Sequence, residues 1–132
     1  MKKVLITFAT VLTLMSCSKE ETIQTQEEAS FSIVDDYSLV NIDYFRDGEP
    51  FSTESICGDT WTFTREYEFI KNEYNQETCN YRYQVSNTYT ATPEMVMIGD
   101  TPYSLEQSAG AMSLTKDLSD GLTAKFNFVV LD

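Results

Sequence analysis

Cys17, Cys57 and Cys79 carry the most distinctive chemistry in this sequence. A thiolate is a soft nucleophile, able to form thioethers, disulfides or metal bonds. The rest of the composition removes many alternatives. The chain has no histidine, so Ser-His-Asp and Cys-His catalysis, the usual general base at neutral pH and most zinc sites are excluded. No phosphate loop, dinucleotide glycine fingerprint or EF-hand spacing occurs. Glu66 and Glu68 form a carboxylate pair of the kind that hydrolyses glycosides inside a shaped cleft. Alternating with Thr62 and Thr64, they read instead as the solvated face of a strand. Asp117 and Asp120 bracket a turn and offer too few oxygens for calcium. No cofactor and no metal are expected, and no stretch specifies a reaction.

The surroundings of Cys17 give it a role. Lys2 and Lys3 form a positive start, and Val4 to Met15 form an apolar run of 12 residues. That length suits a signal-peptide core and falls short of the roughly 20 residues a membrane-crossing helix needs. Leu14-Met15-Ser16-Cys17 resembles the lipobox of bacterial lipoprotein precursors, in which the cysteine thiol receives a diacylglyceryl group before residues 1–16 are removed. Two or more acyl chains hold a protein where one would dissociate. The alternative is an ordinary secretory signal with an incidental cysteine. Cys17-Ser18-Lys19-Glu20-Glu21 is similar to the surface-export signal of Bacteroidota lipoproteins. That resemblance implies an outer-membrane protein facing the cell exterior, with Lys19, Glu20 and Glu21 as the signal; the bland reading is a solvated charge run.

If Cys17 carries lipid, Cys57 and Cys79 remain as the pair that an oxidising compartment could join. Such a loop would contribute about 3 kcal/mol in the chain-entropy account; two buried free thiols are the alternative. Without Lys2 and Lys3, seven basic residues face 21 acidic ones. So acidic a surface repels phosphate backbones, and no nucleic-acid partner is expected. The membrane would be reached through the anchor rather than through a basic patch. Residues 17–30 are polar, acidic and free of aromatics, which is the composition of a flexible tether. Residues 31–132 suffice for one domain.

From Phe31 onward the pattern is that of short strands. Trp61-Thr62-Phe63-Thr64-Arg65-Glu66-Tyr67-Glu68-Phe69 alternates with period 2, Arg65 being the exception on the apolar side, and predicts one half-buried strand. Leu122, Ala124, Phe126, Phe128 and Val130 repeat the pattern at the end. Tyr81, Tyr83 and Val85, Met112 and Leu114, and the stretches 37–45, 95–98 and 102–107 supply further strands. All five glycines fall between them, and Asp47-Gly48 and Asp120-Gly121 suit tight hairpins. Residues 72–76 and the Asn87–Pro93 region suggest further turns. The architecture is all-β: an up-and-down antiparallel barrel of about eight strands, or a small β-sandwich.

Residues 31–132 resemble the lipocalin-like domain found in Bacteroidota lipoproteins. The match lies in the order of features. Ile33-Val34-Asp35-Asp36-Tyr37 stands where the family has an apolar pair and then Gly-x-Trp, with Asp35 and Tyr37 departing from it. Cys57 before Trp61-Thr62-Phe63, Cys79 before a later strand, Tyr103-Ser104-Leu105, Ala111-Met112-Ser113-Leu114 and a closing aromatic strand follow in turn. The resemblance implies a barrel and no particular activity.

Trp61, Phe63, Tyr67, Phe69, Phe126 and Phe128 are then the candidate interior. They either fill the barrel or line a cavity for a small apolar ligand, because eight strands are just wide enough for either; at about a hundred residues, a filled core is preferred. The functional expectation is a non-enzymatic binding or presentation module. The alternative is a structural subunit of an outer-membrane assembly, contacting a protein partner through strand edges or loops. An open apolar mouth would favour the first and an exposed edge strand the second.

Overall fold

A computed structural model of the chain describes residues 31–131. Residues 1–30, with the signal segment, Cys17 and the Lys19-Glu20-Glu21 signal, lie outside the described residues. Nine strands follow one another: β1 (Asp35–Arg46), β2 (Glu49–Ser55), β3 (Thr60–Phe63), β4 (Glu68–Tyr74), β5 (Tyr81–Ala91), β6 (Met95–Ile98), β7 (Thr101–Ser108), β8 (Ala111–Ser119) and β9 (Leu122–Val130). Every pairing is antiparallel.

Closure comes from β9, which pairs with β1 from Leu122–Arg46 to Val130–Tyr37. Eight strands thereby form a ring in the order β1-β3-β4-β5-β6-β7-β8-β9, with β2 attached to β1 as a ninth. The fold is a closed barrel rather than a sandwich, because one continuous sheet returns to its own first strand. The Asp-Gly pairs turn two hairpins as their sequence requires. Asp47 and Gly48 have φ of 52° and 83°, and Asp120 and Gly121 have 48° and 78°, the doubly positive pattern of type I′ turns. The two tips touch: Asp47 N–H donates to the Gly121 carbonyl at 2.8 Å.

Two expectations need correction. The run Trp61 to Phe69 is not one strand but the hairpin of β3 and β4, turning at residues 64–67. Arg65 broke the apolar alternation because it stands in that turn. Phe63 faces Phe69 across the strands, so both rings still point inward, while Tyr67 sits in the turn at φ 64° with 63% of its surface exposed. Tyr67 therefore leaves the candidate interior. Glu66 and Glu68 do not share a strand face either, since Glu66 lies in the turn; both are exposed. The second correction concerns residues 72–76: Asn72 to Tyr74 continue β4, and the turn comes afterwards. There Asn75 Oδ1 accepts from the Glu77 and Thr78 N–H groups, and Cys79 N–H closes on the Asn75 carbonyl. Asn87 likewise lies inside β5, and the following turn begins at Thr92.

The core fills one half of the barrel. Phe63, Phe128, Leu114 and Val96 are almost wholly buried, with Tyr37, Leu39, Trp61, Phe69, Tyr89 and Met112 beside them. Phe63 packs against Tyr89 and Tyr37 with ring centroids 4.9 and 6.0 Å apart. The polar atoms are paired there. Tyr89 Oη donates to the Thr64 carbonyl at 2.7 Å, and Tyr37 Oη to the Ile33 carbonyl at 3.0 Å. Burial, with Asp35 nearby, pushes the Tyr37 hydroxyl up to about 12. This is the sealed end.

Candidate functional site: the barrel mouth

The opposite end is open, for a reason visible in strand lengths. β1, β4, β5, β8 and β9 all extend toward it. The β6–β7 hairpin turns early, at Gly99-Asp100, and β5 pairs with β6 only through Tyr89 to Ala91. The first half of β5 therefore has β4 on one side and no strand on the other. The register places Tyr83 opposite Glu73 and Val85 opposite Lys71, which itself faces Trp61. These side chains belong to the inward face, yet Tyr83 and Val85 are 43% and 41% exposed. They line an uncovered bowl.

On another side the mouth is walled by β2 and the tip of the β4–β5 hairpin. These walls are tied together. The Cys57–Cys79 disulfide joins them, with Cα atoms 5.6 Å apart and 22 positions between the cysteines in sequence. The Gln76 amide adds a second tie, accepting from Cys57 N–H at 2.7 Å and donating to its carbonyl at 3.2 Å. Gly58 makes the approach feasible: its φ is 89°, and a Cβ there would lie 2.6 Å from the Tyr74 ring. Only glycine fits that conformation without strain.

Between the walls lies a cavity of about 350 Å³. Its floor is apolar, formed by Leu39, Ile42, Trp61 and Phe126, and its rim carries Glu54, Asp59, Lys71, Glu73, Glu77 and Arg82. Trp61 and Phe126 on that floor form a triangle of rings with Tyr103, which together with Lys116 lines a second cavity, the centroids being 5.4 to 6.1 Å apart. Two ammonium groups stand over that triangle. Lys71 Nζ is 5.7 Å from the Trp61 ring, and Lys116 Nζ is 5.7 and 5.8 Å from Tyr103 and Phe126. Asp59 is the one buried charged residue among the described residues. Burial pushes its carboxyl above the usual carboxylate range, opposed by the Tyr74 N–H it accepts and by Lys71. Burial likewise pushes the Tyr103 hydroxyl up.

Of the residues singled out from sequence, the structure brings Trp61, Phe63, Phe69 and Phe128 together in the packed core. Phe126 is half-buried at the boundary with the mouth. Cys57 and Cys79 form the disulfide. Sequence reasoning overlooked Lys71 and Lys116, although both positions carried a signal. Lys116 continues the parity of Met112 and Leu114, and Lys71 that of Phe69, so each stands where an apolar residue would be inward.

No protein-family model matches this sequence, and comparison with curated proteins finds no relative. The structure defines a class of fold. The chain forms a small closed antiparallel barrel with one disulfide, consistent with a lipocalin-like domain.

Proposed function

We propose that this protein is a lipid-anchored lipoprotein of the outer membrane, facing the cell exterior, whose barrel is a non-enzymatic module that binds or presents a small, largely apolar ligand. The observation that carries the binding reading is the mouth. An apolar floor under a polar rim, enclosing about 350 Å³, has the size and chemistry of a small-molecule site. The anchor rests on Leu14-Met15-Ser16-Cys17 and the outward address on Lys19, Glu20 and Glu21. The lack of histidine in the chain supports a role without catalysis.

A second reading is supported by β2. This strand is exposed along its whole length and ends the sheet, so its outer edge has no strand partner among the described residues. Phe51 on it is 60% exposed. Such an edge can accept a strand from another protein, as a subunit of an outer-membrane assembly would require. Native mass spectrometry of the protein extracted from membranes separates the two. A retained small molecule supports the binding module, a stoichiometric protein partner supports the subunit, and a bare monomer counts against both. The anchor is tested separately with Cys17→Ala, which should abolish labelling by a fatty-acid analogue; labelling that persists contradicts it.

A further inference from the structure

The mouth also carries information about which ligand it would take, an inference that rests on the binding reading above. Its polar groups divide into those already engaged and those still free. Three of the four rim carboxylates are engaged, and the fourth, Glu77, stands exposed at the hairpin tip. Glu54 Oε1 accepts from the Tyr44 hydroxyl at 3.2 Å. Asp59 Oδ1 accepts from Tyr74 N–H at 2.8 Å and from the Gln76 amide at 3.3 Å. Glu73 is hydrogen-bonded by the Tyr83 hydroxyl.

The donors differ. Trp61 Nε1–H is buried and has no hydrogen-bond partner among the described residues. A buried donor left unpaired loses its hydration without compensation, so it is a feature that calls for an explanation. Lys71 and Lys116 are half-buried, and neither is within salt-bridge distance of a carboxylate among the described residues, where Lys125 pairs with Glu106 instead, although Lys71 attracts Asp59 at longer range. That is unusual in a chain with 21 acidic residues against nine basic. Two of its few cations are placed inside a barrel, on strands β4 and β8, above one triangle of rings. Above the rings, inside the exposed rim, the unspent capacity is therefore that of donors and positive charge.

We infer that the mouth binds an anionic amphipath: a molecule whose carboxylate-type head lies between Lys71 and Lys116 above the Trp61–Tyr103–Phe126 triangle, and whose apolar body lies along Tyr83 and Val85. The head supplies acceptors to the ammonium groups, where charge-assisted hydrogen bonds are the strong ones. The body covers apolar side chains that the barrel leaves in water. An acidic protein repels small anions in bulk, so a bare anion without an apolar body is not the ligand.

Trp61 is the only tryptophan in the chain, which makes its fluorescence a local reporter. The full chain is titrated with dodecanoate and dodecyltrimethylammonium below their micelle-forming concentrations and with dodecanol below its solubility limit. Dodecanoate should saturate at one equivalent, shift Trp61 emission and bind at least about tenfold tighter than dodecanol, as expected when a buried charge pair is made. Lys71→Met with Lys116→Met should bring dodecanoate down to the dodecanol level and leave dodecanol binding unchanged, with a melting curve showing that the variant is folded. Equal affinity for dodecanoate and dodecanol in the wild type, or a preference that survives in the variant, overturns the anion assignment and leaves the binding module standing. Tightest binding of the cationic amphiphile also overturns it, in favour of the rim carboxylates. Absence of binding by all three removes the binding module as well.

Discussion

The two ends of this barrel are built from the same strands and differ in what those strands leave uncovered. At the sealed end, inward positions hold Phe63, Phe69, Phe128 and Tyr89, each with 4% or less of its surface exposed, and the tyrosine hydroxyls donate to backbone carbonyls. At the mouth, inward positions hold Lys71, Tyr83, Val85 and Lys116, and the short β6–β7 hairpin leaves one wall low. Inward orientation is thus set by the two-residue period, whereas burial depends on whether a neighbouring strand reaches that level. One half is a core, held by apolar burial and close packing. The other half has the outline of a receptacle.

The largest contrast should appear in truncation of two rings on one strand. Phe128 is 2% exposed and touches the rings of Trp61 and Tyr37. Phe128→Ala should cost about 3–5 kcal/mol through lost burial and the cavity left behind. Phe126, two residues toward the mouth, is half-buried, and Phe126→Ala should cost about 1–2 kcal/mol. Denaturant melts of the two variants give the comparison. Equal costs would mean that the mouth is packed as tightly as the core.

Next comes the tie across the mouth. Reducing Cys57–Cys79, or replacing both residues by alanine, should lower stability by about 3 kcal/mol if the chain-entropy account holds. The loss should be accompanied by faster amide exchange at residues 55–59 and 74–81, with Tyr37 and Phe63 amides following only the global change. Uniform acceleration would show that the disulfide supports the whole barrel rather than one end.

A smaller effect should appear at alkaline pH. Burial favours the neutral form of Tyr37, raising its hydroxyl from 10.0 to about 12. The group contributes stability that is fully present below pH 10 and is lost as the pH rises through 12. A separation of that size amounts to on the order of 2 kcal/mol. Tyr37→Phe should flatten the alkaline limb of the stability curve. An unchanged limb would place the titrating group elsewhere.

Much of the fold was legible because strand alternation and Asp-Gly turns are local signals. Leu122 to Val130 reads as a strand from its own residues, and Asp47-Gly48 and Asp120-Gly121 announce their turns. The failures came where the period crossed a turn without changing phase. Between Phe63 and Phe69 the loop preserves parity, so a hairpin imitates one long strand, and Tyr67 looked inward when it is not. Arg65 was the visible clue. β2 went unread because none of its residues is buried, and a strand with no apolar face has no period to detect. Closure of β9 on β1 is a long-range pairing, which no short window encodes. The mouth lysines were legible only by taking parity literally, with charge at an inward position marking the point where the interior stops being a core.

Ligand should engage the mouth and leave the sealed end alone. The indole N–H of Trp61 gives a single resonance to follow, since the chain has one tryptophan. In a two-dimensional proton–nitrogen spectrum of the labelled chain, titration with dodecanoate should move the Trp61 indole peak together with the amides of Lys71, Tyr83 and Lys116, while those of Tyr37, Phe63 and Met112 stay in place. Shifts spread evenly over both ends, or a Trp61 indole peak unmoved at saturation, would contradict it.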